Sequence, residues 1–274
     1  YLGNFLLWVG VPLSIVTFLR GAKLSGLIWI APLVAWAAIL LGAGLAWAWV
    51  KYQSPKAVWP RSTQGSFLLT SMVGNTGYLG YPVVLAILGP QYFAWALFYD
   101  LLGTTLGAYG LGIGIAAYFG TGVGDGWQLV LKLIKNPPLW SFFVGICLRD
   151  LVLPSSAEQV LQVLAWTMVS LSLVLIGMRL TQLSSWKSLP KALLSLGIKM
   201  VLIPLTIGLS LTILGVEGPP RLALVLQMAM PPAFATLVIS EVYGLDKDLT
   251  VTALAAGTAG LLLLLPGWVW LFAI

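Results

Sequence analysis

The sequence has 274 residues, of which 59% are hydrophobic and only 8% are charged, with a formal net charge of +6. Soluble domains carry about 25% charged residues, so this composition excludes a soluble globular domain and predicts a polytopic protein of the lipid bilayer. The chain has no His and a single Cys, Cys147, which excludes an internal disulfide and a cluster of thiolate metal ligands, and we expect no cofactor. Most basic residues lie between apolar runs, where they orient a membrane protein rather than bind nucleic acid.

Runs of about 20 apolar residues mark membrane-spanning helices, and nine such runs follow one another along the chain. In chain order they are α1 (residues 3–19), α2 (27–50), α3 (65–88), α4 (92–119), α5 (138–151), α6 (160–180), α7 (191–214), α8 (220–243) and α9 (249–273). The predicted fold class is an all-α polytopic membrane protein in which α3 and α8 are broken.

The break in α3 covers residues 74–82, where three glycines, Asn75 and Pro82 replace the expected aliphatic side chains. In lipid an unpaired backbone N–H or C=O costs several kcal/mol, so a break at this depth must be buried in protein or line a cavity. The break in α8 contains Pro231-Pro232, which removes two backbone donors in a row. Each break taken alone is also consistent with an ordinary proline kink.

Lys and Arg predict the orientation in the membrane. One face carries nine of them and the other face carries four, which places the first face in the cytoplasm and the C-terminus outside. The first set is Lys51, Lys56, Arg61, Lys132, Lys135, Arg179, Lys187, Lys191 and Lys247, and the second is Arg20, Lys23, Arg149 and Arg221. Lys199, in the first turns of α7, is expected to snorkel towards the same cytoplasmic face.

The chain repeats itself. The stretch that begins at Trp8 resembles the one that begins at Trp166, and the two breaks are about 157 residues apart. We therefore predict a first, incomplete repeat over residues 1–119 and a second, inverted repeat over 137–274, in which α5 is the first helix and its counterpart would precede residue 1. Interrupted segments at matching places in two halves are the best sequence pointer to a transporter site.

The two breaks are predicted to meet near the bilayer midplane and to bind a carboxylate, because the half-helices beyond them start with free N–H groups at a positive dipole end. The expected substrate-binding residues are Asn75, Thr76, Gly77, Pro82, Gln227, Pro231, Pro232 and Ala233.

Two carboxylates are candidates for proton or ion coupling. Asp100 lies inside α4 with apolar residues on both sides, and such residues usually mark an ion or proton path. Tyr99, Thr104 and Thr105 are near enough in sequence to satisfy it, and a purely structural Asp is the alternative. Glu241 lies near the end of α8 and is equally consistent with a solvated helix end.

An enzyme is not predicted. Tyr99-Asp100 and the Gly122–Asp125 stretch echo the paired motifs of intramembrane aspartyl proteases, whose chemistry needs two carboxylates sharing a proton. Here the two carboxylates are separated by roughly 35 Å if the helix continues.

The motif from Asn75 to Pro82 followed by Gly89, and the motif Met230-Pro231-Pro232-Ala233 followed by Tyr243-Gly244, resemble the two crossing regions of the auxin efflux carrier family of bacterial transporters, which is similar to the plant PIN auxin carriers. The resemblance implies ten helices in a fold shared with bile-acid and sodium/proton transporters. It also implies organic-anion substrates and a scaffold (1–50 and 158–214) beside a moving transport domain (64–119, 137–151 and 220–274). Carried over by position, Asn75, Pro82 and Pro231-Pro232 belong to the substrate site, whereas the first of the ten helices has no counterpart in this sequence.

The function expected from the sequence is secondary active transport, of the efflux carrier type, of a small organic anion by elevator-like alternating access. The coupling ion is H⁺ or Na⁺, the location is the bacterial inner membrane, and the scaffold is a surface through which a homodimer could form. The alternatives are a sodium-coupled organic-anion symporter of the bile-acid type and a membrane-embedded binding or sensor protein that does not transport.

Overall fold

The computed structural model describes residues 2–22, 24, 26–53, 59–120, 131, 134–180 and 188–273. Within these ranges every regular element is a helix. Five of the described helices are long and apolar enough to cross a membrane, and three shorter apolar helices accompany them. The chain is therefore an all-α polytopic membrane protein, as its composition predicts. Lys23, Lys56, Lys132, Lys187 and Asp125, which the sequence analysis used, lie outside the described residues.

The helices follow the predicted order with small shifts at their ends. Their bounds are α1 (residues 2–21), α2 (Gly26–Gln53), α3a (Arg61–Met72), α3b (Thr76–Leu88), α4 (Pro90–Phe119), α5 (Pro137–Cys147), α6 (Ser155–Leu180), α7 (Leu189–Ile213), α8a (Gly218–Met228), α8b (Phe234–Val242) and α9 (Lys247–Phe272). The third and eighth spans are each divided in two, at residues 73–75 and 229–233.

Wide π-helical turns precede three prolines inside the helices. They cover Leu6–Gly10 before Pro12, Thr76–Gly80 before Pro82, and Gly197–Leu202 before Pro204. A proline ring clashes with the carbonyl four residues earlier and offers no N–H. Widening the preceding turn relieves the clash, so these helices continue where a regular α-helix would kink.

Two glycines bring α2 and α4 into close contact. A Cβ added at Gly103 would lie 2.1 Å from the Cβ of Ala35, and one added at Gly107 would lie 2.6 Å from Ile39. The indole N–H of Trp36 also donates to the Leu102 carbonyl at 3.0 Å. Small residues one turn apart let membrane helices approach closely, so α2 and α4 form a tightly packed pair.

The packing arranges the helices in two groups. In the first, α1 lies against α5 and α6. In the second, α2 packs on α3a and α4, while α7 packs on α8a and α9. Contacts between the groups are sparser and run mainly from α1 and α6 to α3b and the start of α4.

Candidate functional site

The two helix breaks meet and pair through their backbones. The Asn75 N–H donates to the Pro231 carbonyl at 2.7 Å, and the Ala233 N–H donates to the Val73 carbonyl at 3.0 Å. Gly74 and Pro232 thus form an antiparallel bridge. The mutual pairing satisfies backbone groups that two separate breaks would leave exposed at membrane depth, which explains why both interruptions are tolerated.

Asp100 is held at the start of α3b. The Thr76 hydroxyl donates to one carboxylate oxygen at 2.5 Å and the Tyr81 hydroxyl donates to the other at 2.6 Å. Thr105, one of the partners expected from the sequence, lines the same cavity as this carboxyl group. A carboxylate near the first turn of a helix lies at the positive end of its dipole, so Asp100 occupies the anion position that α3b offers.

A cavity of about 430 Å³ opens beside the paired breaks. Residues of both breaks line it, together with side chains of α1, α4 and the segment before α5. Its polar lining includes Asn75, Thr76, Tyr78, Tyr81, Asp100, Thr104, Thr105, Tyr109, Lys135 and Asn136. The start of α8b, at Ala233, Phe234 and Ala235, forms part of the wall. This volume suits a small organic molecule.

The predicted substrate residues fall into two sets. Asn75, Thr76, Gly77 and Ala233 line this cavity, as does Asp100. Pro82 lies instead in a separate small gap of about 20 Å³ towards α1 and α6. Pro231, Pro232 and Gln227 do not line the 430 Å³ cavity, although the Pro231 carbonyl accepts one of the hydrogen bonds that join the breaks.

Gln227 is fully buried against Gly80, where a Cβ added to the glycine would lie 2.0 Å from its Oε1. Both amide atoms of Gln227 lack a hydrogen-bond partner among the described residues.

Glu241 lies at the surface. Its carboxylate pairs with Lys247 at 2.5 Å, and both side chains are about half exposed, at 46% and 59%. An exposed pair of this kind contributes little to stability, so the geometry agrees with the solvated helix end that the sequence left open as an alternative.

The prediction for Lys199 is wrong. Its side chain does not reach a membrane surface but is 2% exposed, and its ammonium donates to the Met228 carbonyl at 2.6 Å. Snorkelling requires a position near a helix end, whereas Lys199 lies ten residues into α7, beside the break in α8. Its central position in an apolar run was the sequence signal that could have revealed this. Tyr81 was also missed, since a tyrosine in a glycine-rich stretch gives no sign of its partner.

Within the described part of the chain, no cluster of three or more His, Cys, Asp or Glu residues could hold a metal ion. The site offers hydrogen-bond groups, the Asp100 carboxylate, the Lys135 ammonium and helix ends as its chemistry. Such a set recognises and orients a polar ligand.

Comparison with known proteins gives consistent results. The sequence profile of a family described as "Membrane transport protein" matches residues 126–269. An uncharacterized transporter of Methanothermobacter thermautotrophicus is 29% identical over 263 residues, which is 95% of this chain and 84% of the relative. An uncharacterized transporter of Methanocaldococcus jannaschii is 28% identical over 212 residues, covering 76% of this chain and 68% of that protein.

A plant protein is also similar. Probable auxin efflux carrier component 5a of Oryza sativa subsp. japonica is 26% identical over 154 residues, 52% of this chain and 42% of the plant protein. The profile covers more than half of the chain and includes α8 with its break. The chain therefore belongs to the auxin efflux carrier family of membrane transport proteins.

Proposed function

We propose that this protein is a secondary active transporter of a small organic anion, with the substrate bound in the cavity at the paired breaks. The observation that carries the proposal is the pairing itself, because two interrupted helices joined at Asn75–Pro231 and Val73–Ala233 form one wall of a 430 Å³ cavity. Discontinuous helices with a cavity at their junction are the usual construction of a transporter site.

The substrate carboxylate is assigned to the α8b side of the cavity. Asp100 already occupies the positive end of α3b through Thr76, and a second anion there would be repelled. The start of α8b lines the same cavity and presents the positive end of its own dipole. Asn75 lies in the bridge between the two breaks, where its half-buried amide can donate to the substrate.

The lining of the cavity includes Lys135 and Asn136, which precede α5, and Lys135 is exposed, so the cavity reaches the surface there. Lys135 belongs to the face that the positive-inside rule assigns to the cytoplasm. The arrangement then corresponds to a carrier open to the cytoplasm, and alternating access would expose the same site to the outside. An elevator-like movement of the helices that carry the breaks is the mechanism we infer.

The test is flux of small carboxylates into liposomes that contain the purified protein, with radiolabelled indole-3-acetate and a dicarboxylate, succinate, as the two probes. Asn75→Ala should lower the flux of the transported probe roughly tenfold or more, the usual effect of removing a hydrogen bond to a charged group. The matched control is Gln159→Ala, which removes an exposed amide on α6. Equal flux through Asn75→Ala and the unsubstituted protein would remove Asn75 from the site, and binding without any flux would favour the non-transporting alternative.

A further inference from the structure

A buried lysine lies behind the paired breaks. Lys199 of α7 is 2% exposed and lies in the π-helical turn Gly197–Leu202. Its ammonium donates at 2.6 Å to the carbonyl of Met228, the last residue of α8a. The carbonyl end of a helix carries a partial negative charge, so the ammonium lies where that charge is greatest.

Gly74 separates this ammonium from the cavity. A Cβ added at Gly74 would lie 3.1 Å from both the Cε and the Nζ of Lys199, and 3.4 Å from the Met230 carbonyl. Gly74 lines the cavity, whereas Lys199 does not. The ammonium therefore packs against Gly74 on the side away from the cavity. It acts on a bound substrate through the backbone of the break, as a positioning residue.

The Lys199 ammonium has the Met228 carbonyl as its hydrogen-bond partner, and no acid pairs with it among the described residues. Lys199 takes part in neither of the ion pairs Arg20–Glu158 and Lys247–Glu241 of the described ranges. Charged residues at membrane depth are rare and are held by a partner or by backbone carbonyls.

Coupling cations of transporters with discontinuous helices bind at the carbonyl ends of half-helices. The protein closes both such ends. The ammonium of Lys199 takes the end of α8a. At the end of α3a, a Cβ added at Gly42 would lie only 2.5 Å from the Ser71 carbonyl oxygen, so the α2 backbone lies directly against that carbonyl.

The two ends correspond in the repeat. Gly42 precedes Lys199 by 157 positions and Ser71 precedes Met228 by the same number, which is also the offset between Gly74 and Pro231. The repeat thus carries an ammonium at one of two equivalent places and a glycine at the other. This difference distinguishes the two repeats chemically at the point where they meet.

We propose that the Lys199 ammonium is the resident cation of the paired breaks, filling the place of an external coupling cation, so that the carrier operates without sodium. The part that concerns coupling rests on the proposed transport function. The occupancy of the α8a end by Lys199 can be tested without any transported substrate, so the two proposals can fail separately.

The experiment compares the melting temperature of the purified full chain in sodium chloride and in choline chloride at equal ionic strength. A cation that binds only the folded protein raises its melting temperature. Because Lys199 already fills the site, sodium should find no place to bind, and the unsubstituted protein should melt within about 1 °C in both salts. Lys199→Ala should melt on the order of 5 °C lower in choline. Sodium or methylammonium, which are small enough to enter the vacated space, should restore most of this loss.

The matched control is Lys51→Ala, which removes an exposed lysine and should melt like the unsubstituted protein in every salt. Lys199→Arg keeps the charge and should remain indifferent to sodium. Sodium-specific stabilisation of the unsubstituted protein would overturn the proposal, and this arm holds even if Lys199→Ala does not fold. A folded Lys199→Ala that small cations fail to stabilise would also overturn it.

Discussion

At the scale of single residues, the site is organised around one carboxyl group. Asp100 receives hydrogen bonds from Thr76 and Tyr81, both on α3b, and it also lines the cavity. An ionised Asp100 and a substrate anion would repel each other in this cavity by on the order of 2 kcal/mol. Proton binding to Asp100 would remove that repulsion, which links the proton to the substrate.

Asp100→Asn should therefore flatten the pH dependence of carboxylate binding and flux, because the substituted side chain stays neutral at every pH. Binding at high pH should tighten by roughly 30-fold, the equivalent of about 2 kcal/mol. The measurement is flux of the transported probe into liposomes across a pH series. Asp248→Asn, an exposed carboxylate at the start of α9, serves as the control and should keep the original profile. An identical profile for Asp100→Asn would exclude Asp100 as the coupling group.

At the scale of helices, close packing joins α2 to α4, beside the hydrogen bond from Trp36 to the Leu102 carbonyl. Gly103 faces Ala35, with no space for a methyl group between them. The Cβ of Ala35 is fixed to the α2 backbone and cannot rotate away, so α2 itself would have to move. This contact makes α2 and α4 one rigid unit.

Gly103→Ala should destabilise the protein by about 1–3 kcal/mol through overpacking, seen as a lower melting temperature of the purified protein. Gly114→Ala lies on the same helix, is exposed, and would meet nothing within 4 Å. It should leave stability unchanged or raise it by about 0.5–1 kcal/mol, since alanine favours helix over glycine. Equal melting temperatures for the two variants would show that α2 and α4 are packed more loosely.

At the scale of the whole molecule, the sequence predicts a division into scaffold and moving helices that stays a prediction. The packing of the helices favours a different division. α5 lies against α1, whereas α2 and α7 pack on the helices that carry the breaks. We propose that α1, α5 and α6 form the scaffold and that α2, α3, α4, α7, α8 and α9 move together.

One cross-link distinguishes the two divisions, and a second serves as a positive control because it joins the scaffold to the moving helices in both. Each is made in a protein whose exposed Cys147 has been replaced by serine. A Cβ at Gly145 of α5 would lie 3.5 Å from that of Leu19 in α1, which suits a disulfide. The rings of Phe18 in α1 and Phe93 in α4 are 5.7 Å apart, within reach of a short bifunctional thiol reagent.

The Leu19→Cys/Gly145→Cys disulfide should leave carboxylate flux intact, because it joins two helices of the same group. The cross-linked Phe18→Cys/Phe93→Cys protein should lose nearly all flux, because it joins the two groups. Flux is compared before and after reduction for the disulfide, and with and without the reagent for the second pair. Loss of flux in the first pair would support the division made from the sequence instead.

The sequence by itself determined the membrane class, the order of the helices and the positions of both breaks. These properties depend on the length of apolar runs and on residues such as Gly74 and Pro231-Pro232, whose effects on the backbone are local. The repeat offset also pointed to the meeting of the breaks, and Asn75, Thr76, Gly77 and Ala233 do line the cavity there.

Only the tertiary structure decided which side chains face one another where the two helix breaks meet. The partners of Asp100 on α3b, the burial of Gln227 against Gly80 and the contact of Lys199 with Met228 depend on how separate helices are rotated and staggered. In an almost uniformly apolar sequence, no amphipathic pattern records that rotation. The packing of small residues such as Gly103 against Ala35 sets that rotation, and with it the positions of buried charged groups such as Asp100 and Lys199.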